Sequence, residues 1–279
     1  MVKLELPEIE TLRRDLERDA VSRKIKSAEA VVLKSMPRHK TRKSFEEHLV
    51  GSKVLGAERI GLQLLLRLDN EHVIVISLGE NGRLLRTATK TKQTDDTVAV
   101  ITFTQGGDLR ILDKNGTSAV HVVHADELEE VLPAPDEVGL DLHERPVSWV
   151  EFGRLVMSKK MPLKLLLTDS SIFVGIGDIY SNEILFDAGL RHDRLCNELS
   201  TQEIRRLYRS VVGILHDAIK YGGTSLEDRP FVDLSGKAGE YTEHLAVYGR
   251  AGELSPRSRI PIQKTSFKHQ VVYYCTTQV

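Results

Sequence analysis

The stretch VGIGDIYSNEIL, residues 174–185, is the part of the chain whose residue types and spacing best suit chemistry on an anion. Gly175 and Gly177 make a turn, and helical character follows at once. A glycine-bearing turn that enters a helix presents backbone N–H groups at the positive end of the helix dipole, which suits a phosphate. A G-x-G pair serves equally well as a tight helix–helix turn without a ligand, and this segment alone leaves both readings open. The charge pattern bears on the choice. The net charge of −1 argues mildly against a nucleic-acid binder. The charge is nonetheless segregated: residues 22–43 hold eight Lys/Arg and one acid, and residues 250–268 hold five and one. Residues 126–144 hold eight acids and no Lys/Arg. Such runs are either solvated faces or a basic footprint for phosphates. Near the start, ELPEIETLRR offers Glu5 and Glu8, carboxylates able to cap the start of a helix.

Elements must position these residues. At 279 residues with 41% apolar content, one or two domains with a real core are expected. Leu6, Ile9, Leu12 and Leu16 recur at helical spacing behind Pro7, which predicts a helix over residues 5–20. From about residue 28 to 124 short strands follow: AEAVVL, KVLGAERIG, QLLLRL, HVIVISL, AVITFT, DLRILD and SAVHVV. Turn pairs such as Asn81-Gly82 and Asn115-Gly116 separate them, a pattern of β-sandwiches and barrels. Residues 1–124 are therefore read as a β-rich domain, 125–147 as an acidic linker, 148–240 as a helical domain and 241–279 as a β-hairpin tail. The tail strands are expected in HLAVYG, IPIQKTS and QVVYYC. No apolar run is long enough to cross a membrane, and the N-terminus lacks the apolar core of a signal peptide. Two cysteines, Cys196 and Cys275, are too few for a disulfide framework, so a cytoplasmic location is expected.

Four segments carry a further likeness. ELPEIETLRR at 5–14, GLQLLLRLDNEHVIVISLGENGRL at 61–84, MPLKLLLTDSSIFVGIGDIYSNEILFDAGLRHDR at 161–194 and YGGTSLEDRPFVDLSGKAGEYTEHLAVYGRAGE at 221–253 run nearly the length of the chain. Together they resemble the formamidopyrimidine-DNA glycosylase/endonuclease VIII family. The resemblance implies an α+β fold: an N-terminal helix with a β-sandwich, then a helix–two-turn–helix domain ending in a β-hairpin finger. It further implies a clamp with duplex DNA between the domains. Enzymes of that family excise oxidised bases, which must first be flipped from the stack while a side chain fills the gap. An N-terminal proline amine attacks C1′ to form a Schiff base, strand cleavage by elimination follows, and the adjacent glutamate handles protons.

Carried over position by position, the resemblance implies that much of this chemistry is missing. Glu5 aligns with the catalytic glutamate, but Leu4 aligns with the nucleophile, and Lys3 precedes it, so its nitrogen is an amide. The substitutes are the Val2 amine, freed by removal of Met1, or the Lys3 side chain. Leu62 stands at a family lysine, Glu80 at the wedge methionine, Asp178 at a phosphate-binding asparagine and Gln270 near the finger arginine. The DPRRFG loop is shortened to Asp113-Lys114-Asn115-Gly116. The finger's C-x2-C-x16-C-x2-C pattern reads Ser255, Ser258, Cys275 and Gln278, which implies no retained zinc and no other cofactor. Binding equipment persists in Lys164, Gly175, Gly177 and Tyr180, with Arg83, Arg250 and Lys34, and the basic segment adds Arg38, Lys40, Arg42 and Lys43. The expectation is a monomer that binds double-stranded DNA, damaged or bent, and sits on the nucleoid, with the standard chemistry lost and no membrane partner. One alternative is an active glycosylase that uses Val2, Lys3 or a Glu5-activated water. Another is a protein-interaction scaffold that has abandoned DNA.

Overall fold

The computed structural model describes residues 4–134 and 137–279, so Val2 and Lys3 lie outside the described residues. The chain divides into two compact units, residues 1–134 with 222–240, and residues 135–221 with 241–279. Among the described residues, no helix is long and apolar enough to cross a membrane.

In the first unit, helix α1 (Leu6–Asp19) has Pro7 in its first turn, where the missing N–H costs nothing. Leu6, Ile9, Leu12 and Leu16 form its buried stripe, none more than 2% exposed. A short helix α2 (Arg42–Glu46) is capped by Thr41, whose hydroxyl accepts from Ser44 N at 3.1 Å. Among the described residues, eight strands follow the sequence order: β1 (Ile25–Ala30), β2 (Val54–Ile60), β3 (Gln63–Leu68), β4 (His72–Ser77), β5 (Arg83–Thr87), β6 (Thr97–Phe103), β7 (Asp108–Leu112) and β8 (Ala119–His124). They build two antiparallel sheets, β1-β6-β7-β5 and β2-β3-β4-β8. Strand β5 was not expected, because RLLRT is short and buries only Leu84 fully.

Period-2 geometry explains the run Leu64-Leu65-Leu66 in β3. Leu64 and Leu66 enter the main core, whereas Leu65 joins Val73 and Val75 on the other face. Leu128, Val131 and Leu132 cover that second face. Residues 125–132, within the stretch read as an acidic linker, thus have an apolar side. The 3-10 turn Ala125–Glu130 turns Glu127 and Glu130 toward Arg38, at 3.3 and 2.8 Å. The returning segment 222–240 is anchored by buried carboxylates of α1: Glu8 accepts from Thr224 N at 2.8 Å and Asp15 from Leu234 N at 3.1 Å. Phe231 and Leu234 join the main core.

Five histidines gather near α2, β4 and β8. His48 and His72 stack at 4.3 Å, and His124 meets His72 edge-on at 5.5 Å. His39 is buried and uses Nε2 to accept from Val122 N at 3.3 Å, which requires its neutral form. Burial pushes His39 below its usual value, and the charges of His48 and Arg38 add to the shift; burial and Arg38 do the same to His121. The unfolded chain therefore takes these protons first. The stabilisation is complete above the unfolded pKa of about 6.5 and is lost as pH falls toward the depressed folded values. Melting temperature is expected to drop by several degrees between about pH 7.5 and 5.5. His39→Gln, which keeps an acceptor for Val122 N but does not titrate, should flatten that profile in thermal melts; an equally steep profile in the variant would exclude His39 as a source.

The second unit holds α3 (Trp149–Met157), α4 (Leu163–Thr168), α5 (Asp178–Ala188) and α6 (Thr201–Lys220), then the hairpin β9 (Gln263–Phe267) and β10 (Gln270–Tyr274). Helices α3 and α6 start at reciprocal capping boxes, Ser148 with Glu151 and Ser200 with Glu203. HLAVYG, residues 244–249, does not form the expected strand. The backbone N–H groups of Ala246, Val247 and Tyr248 all point to the Glu183 carboxylate, so no neighbouring strand takes them up.

Candidate nucleic-acid interface

In the second unit, α4 and the start of α5 place one cation and one anion together. Leu163, Leu166 and Leu167 bury α4, and Lys164 is carried into the interior with them, 0% exposed. A buried ammonium needs partners, because desolvation otherwise favours its neutral form. Lys164 Nζ donates to Ser181 Oγ at 2.7 Å and lies 3.5 Å from both Oδ1 and the carbonyl oxygen of Asp178. The turn that brings α5 to this point requires Gly175, whose φ of +63° is left-handed. Gly177, with extended backbone, is the N-cap of α5, and its carbonyl accepts from Ser181 Oγ. The Asp178 carboxylate stands in the first turn of α5 beside Lys164. An anion of the chain itself therefore meets both the positive helix end and the buried cation. Tyr180 is fully buried, 5.8 Å from the Tyr241 ring.

The hairpin is tied to the same two helices. Gln270 Nε2 donates to Thr168 Oγ1 of α4 at 2.9 Å. Asn182 of α5 accepts from Tyr273 N at 2.8 Å and donates to Val271 O at 3.2 Å. At the hairpin tip, Lys268 and His269 both have positive φ, 50° and 67°, the signature of a two-residue turn matched to strand twist. Both are exposed. Arg250 is held locally, by Glu253 at 2.8 Å and the Leu245 carbonyl at 2.8 Å. Nothing local in the sequence singles out Ser181, Asn182, Thr168 or Glu183; the one available signal is the i+3 spacing that puts Ser181 on the same face of α5 as Asp178.

In the first unit the sequence-derived residues are dispersed. Leu4 packs against the main hydrophobic core, as does Leu62. Glu5 is the buried N-cap of α1, and its backbone N–H donates to Glu8 Oε2 at 3.1 Å. Arg83 opens β5 and pairs with Asp96. Lys34 lies in a 3-10 turn, and Arg42 donates to the Val31 carbonyl at 3.3 Å. The loop after β7 is drawn tight by Asp113, whose carboxylate accepts from the backbone of Asn115 at 2.8 Å, Gly116 at 3.0 Å and Thr117 at 2.7 Å, and from Ser118. Burial pushes Asp113 up, but these donors outweigh it and hold the carboxyl below its ordinary value. The structure thus brings Lys164, Gly175, Gly177, Asp178, Tyr180 and Gln270 into one neighbourhood, and leaves Glu5, Arg83 and Lys34 on separate elements of the other unit.

Both units match known proteins. A family model described as the formamidopyrimidine-DNA glycosylase N-terminal domain matches residues 4–120, and one described as the H2TH domain of that glycosylase matches residues 138–229. The formamidopyrimidine-DNA glycosylase of Pelotomaculum thermopropionicum is 31% identical over 98% of both chains. That of Geobacillus kaustophilus is 32% identical over 97% of both. The structure of Lactococcus lactis Fpg in complex with DNA containing an abasic site superposes with a TM-score of 0.87 at 25% identity, covering 99% of each chain.

Proposed function

The chain belongs to the formamidopyrimidine-DNA glycosylase family, and from that premise we propose that it binds duplex DNA, damaged or bent, in base-excision-type repair without the family's Schiff-base chemistry. The observation that carries this reading is Leu4. The position that aligns with the amine nucleophile holds an apolar side chain packed on the hydrophobic core, and its nitrogen is part of the peptide bond from Lys3. An amide nitrogen has no lone pair available to attack C1′, and leucine offers no other nucleophile. Glu5, beside it, serves as the N-cap of α1.

DNA binding is supported by the retained α4–turn–α5 geometry, by Lys268 at the exposed hairpin tip and by relatives whose structures contain DNA. The Asp178 carboxylate beside Lys164 places a negative charge where a phosphate would approach, so weak binding is expected, with Kd near 10⁻⁶ M at moderate salt.

Borohydride trapping on a duplex with one abasic site tests the loss of chemistry. The expected result is no covalent adduct, alongside measurable, salt-dependent binding of the same duplex. An efficient adduct would overturn the reading, and peptide mapping of it to Val2 or Lys3 would establish an atypical nucleophile. Base release abolished by Glu5→Gln, without an adduct, would establish a Glu5-activated water instead. Absence of duplex binding at ~50 mM salt would favour a protein-interaction scaffold.

A further inference from the structure

The family resemblance implies a tetrahedral zinc site of four thiolates in the finger. The residues at the four positions, Ser255, Ser258, Cys275 and Gln278, do not fit that metal. They supply one sulfur, two hydroxyls and an amide, and their polar atoms are committed to one another and to the backbone. Ser258 Oγ lies 2.9 Å from Cys275 Sγ, and Thr277 Oγ1 donates to the same sulfur at 3.3 Å. Gln278 Oε1 accepts from Cys275 N at 2.7 Å, while its Nε2 donates to the Leu190 carbonyl at 2.7 Å. Ser255 Oγ accepts from Arg257 N at 3.3 Å and from Ser258 N at 3.5 Å. Ser255 and Cys275 are 0% exposed and Gln278 4%. Among the described residues, no group of three or more His, Cys, Asp or Glu is placed to hold a metal ion.

We propose that these four side chains form a metal-free clasp that stands where zinc would stand and closes the base of the β9–β10 hairpin. The clasp does what the metal would do topologically. It joins the turn at 255–258 to the chain after β10, through Ser258 and Cys275. Gln278 then fastens that chain to the C-terminal end of α5, at Leu190, and two backbone bonds reinforce it: Arg191 N to Val279 O at 2.8 Å, and Val279 N to Gly189 O at 3.1 Å. All groups but the thiol are weak, neutral ligands, and satisfied buried hydrogen bonds need no ion to stabilise them. The finger therefore forms with the rest of the unit rather than on metal binding.

The test uses the full-length chain, purified after expression in zinc-supplemented medium. Elemental analysis is expected to find less than about 0.1 zinc per chain, and a strong chelator should shift the melting temperature by less than about 1 °C. Gln278→Ala should speed amide exchange across β9 and β10 about tenfold or more while α3 and α6 keep their protection. Gln278→Glu retains the acceptor for Cys275 N but turns a buried carboxylate oxygen on the Leu190 carbonyl, and should speed that exchange at least as much as Gln278→Ala. The triple substitution Ser255→Cys, Ser258→Cys, Gln278→Cys should take up about one zinc and become chelator-sensitive, because the four positions already converge. Near-stoichiometric zinc in the unaltered chain with chelator-induced loss of hairpin protection would overturn the proposal. So would unchanged hairpin exchange in Gln278→Ala, and failure of the triple variant to bind zinc would refute the placement of the clasp at the metal's position.

Discussion

Replacing Asp178 with asparagine is expected to raise affinity for duplex DNA about tenfold, equivalent to about 1.4 kcal/mol. Its carboxylate lies 3.5 Å from the buried Lys164 ammonium and is the more exposed of the two, so the positive field an incoming phosphate would feel is already offset by an internal anion. A unit charge ~6 Å from a phosphate contributes between about 0.7 kcal/mol of repulsion in water and about 3 kcal/mol at an effective dielectric near 20, which brackets the tenfold figure. The amide removes the repulsion and restores a donor. The salt dependence should also steepen, by about 0.9 in the slope of log K against log salt for one added phosphate contact. Asp178→Glu, which keeps the charge, should show neither change, and adding Lys164→Met to the asparagine variant should cancel the gain. Ser181 Oγ at 2.7 Å still accepts from Lys164 in the asparagine variant, but the buried ammonium loses its counter-anion, so a lower melting temperature is expected alongside the gain in affinity. Identical isotherms and slopes for the two proteins would show that Asp178 does not govern phosphate binding.

How far this site was legible in the sequence follows from the range of each interaction. The alternation of QLLLRL and HVIVIS and the stripe of Leu6, Ile9, Leu12 and Leu16 are local, and strands and helix formed where that periodicity placed them. The glycine turn was equally local: Gly175 needs its positive φ whatever surrounds it. The pairing of Lys164 with Asp178 and Ser181 spans 14 and 17 residues, and nothing in periodicity brings those side chains together. HLAVYG shows the opposite failure. Its alternation is real, yet a carboxylate more than 60 residues earlier takes its N–H groups and prevents strand pairing. Residues 125–132 likewise read as linker by charge, while Leu128, Val131 and Leu132 find an apolar face that only the folded sheet creates.

Three positions of the two units share a physical character. Leu4 puts an apolar side chain on the core, Asp178 puts an internal anion beside a buried lysine, and Ser258 and Gln278 put a hydroxyl and an amide against Cys275 at the base of the hairpin. At each of these positions the side chain is satisfied inside the chain. The surrounding packing is kept because it is what holds the replacements: Ser181 and Asn182 lie on the face of α5 that meets Lys164 and β10. Buried polar groups left unpaired would cost about 1–3 kcal/mol each. The network around α5 avoids that cost.

The largest stability effect should come from Glu183→Ala. Glu183 is 1% exposed and accepts three backbone hydrogen bonds, from Ala246 N at 2.7 Å, Val247 N at 3.0 Å and Tyr248 N at 2.7 Å. These fix the segment between the 3-10 turn Tyr241–His244 and the finger onto the middle of α5. Removal leaves three donors without an acceptor, two of them on the buried residues Val247 and Tyr248. At about 1–3 kcal/mol for each unsatisfied donor the loss is at least about 3 kcal/mol. For a unit of this size that lowers the melting temperature by roughly 6–12 °C. Glu183→Gln keeps one acceptor oxygen but turns an amide N–H₂ toward a backbone donor, so it should lose more than half as much. Calorimetry of the three proteins gives the order, and amide exchange locates it. Protection at residues 246–248 and in β9–β10 should fall together, because the finger hangs from that segment, whereas α1 and the sheets of the first unit should keep theirs. A melting temperature within about 2 °C of the unaltered protein would mean that solvent or a neighbouring carbonyl satisfies those three groups without Glu183.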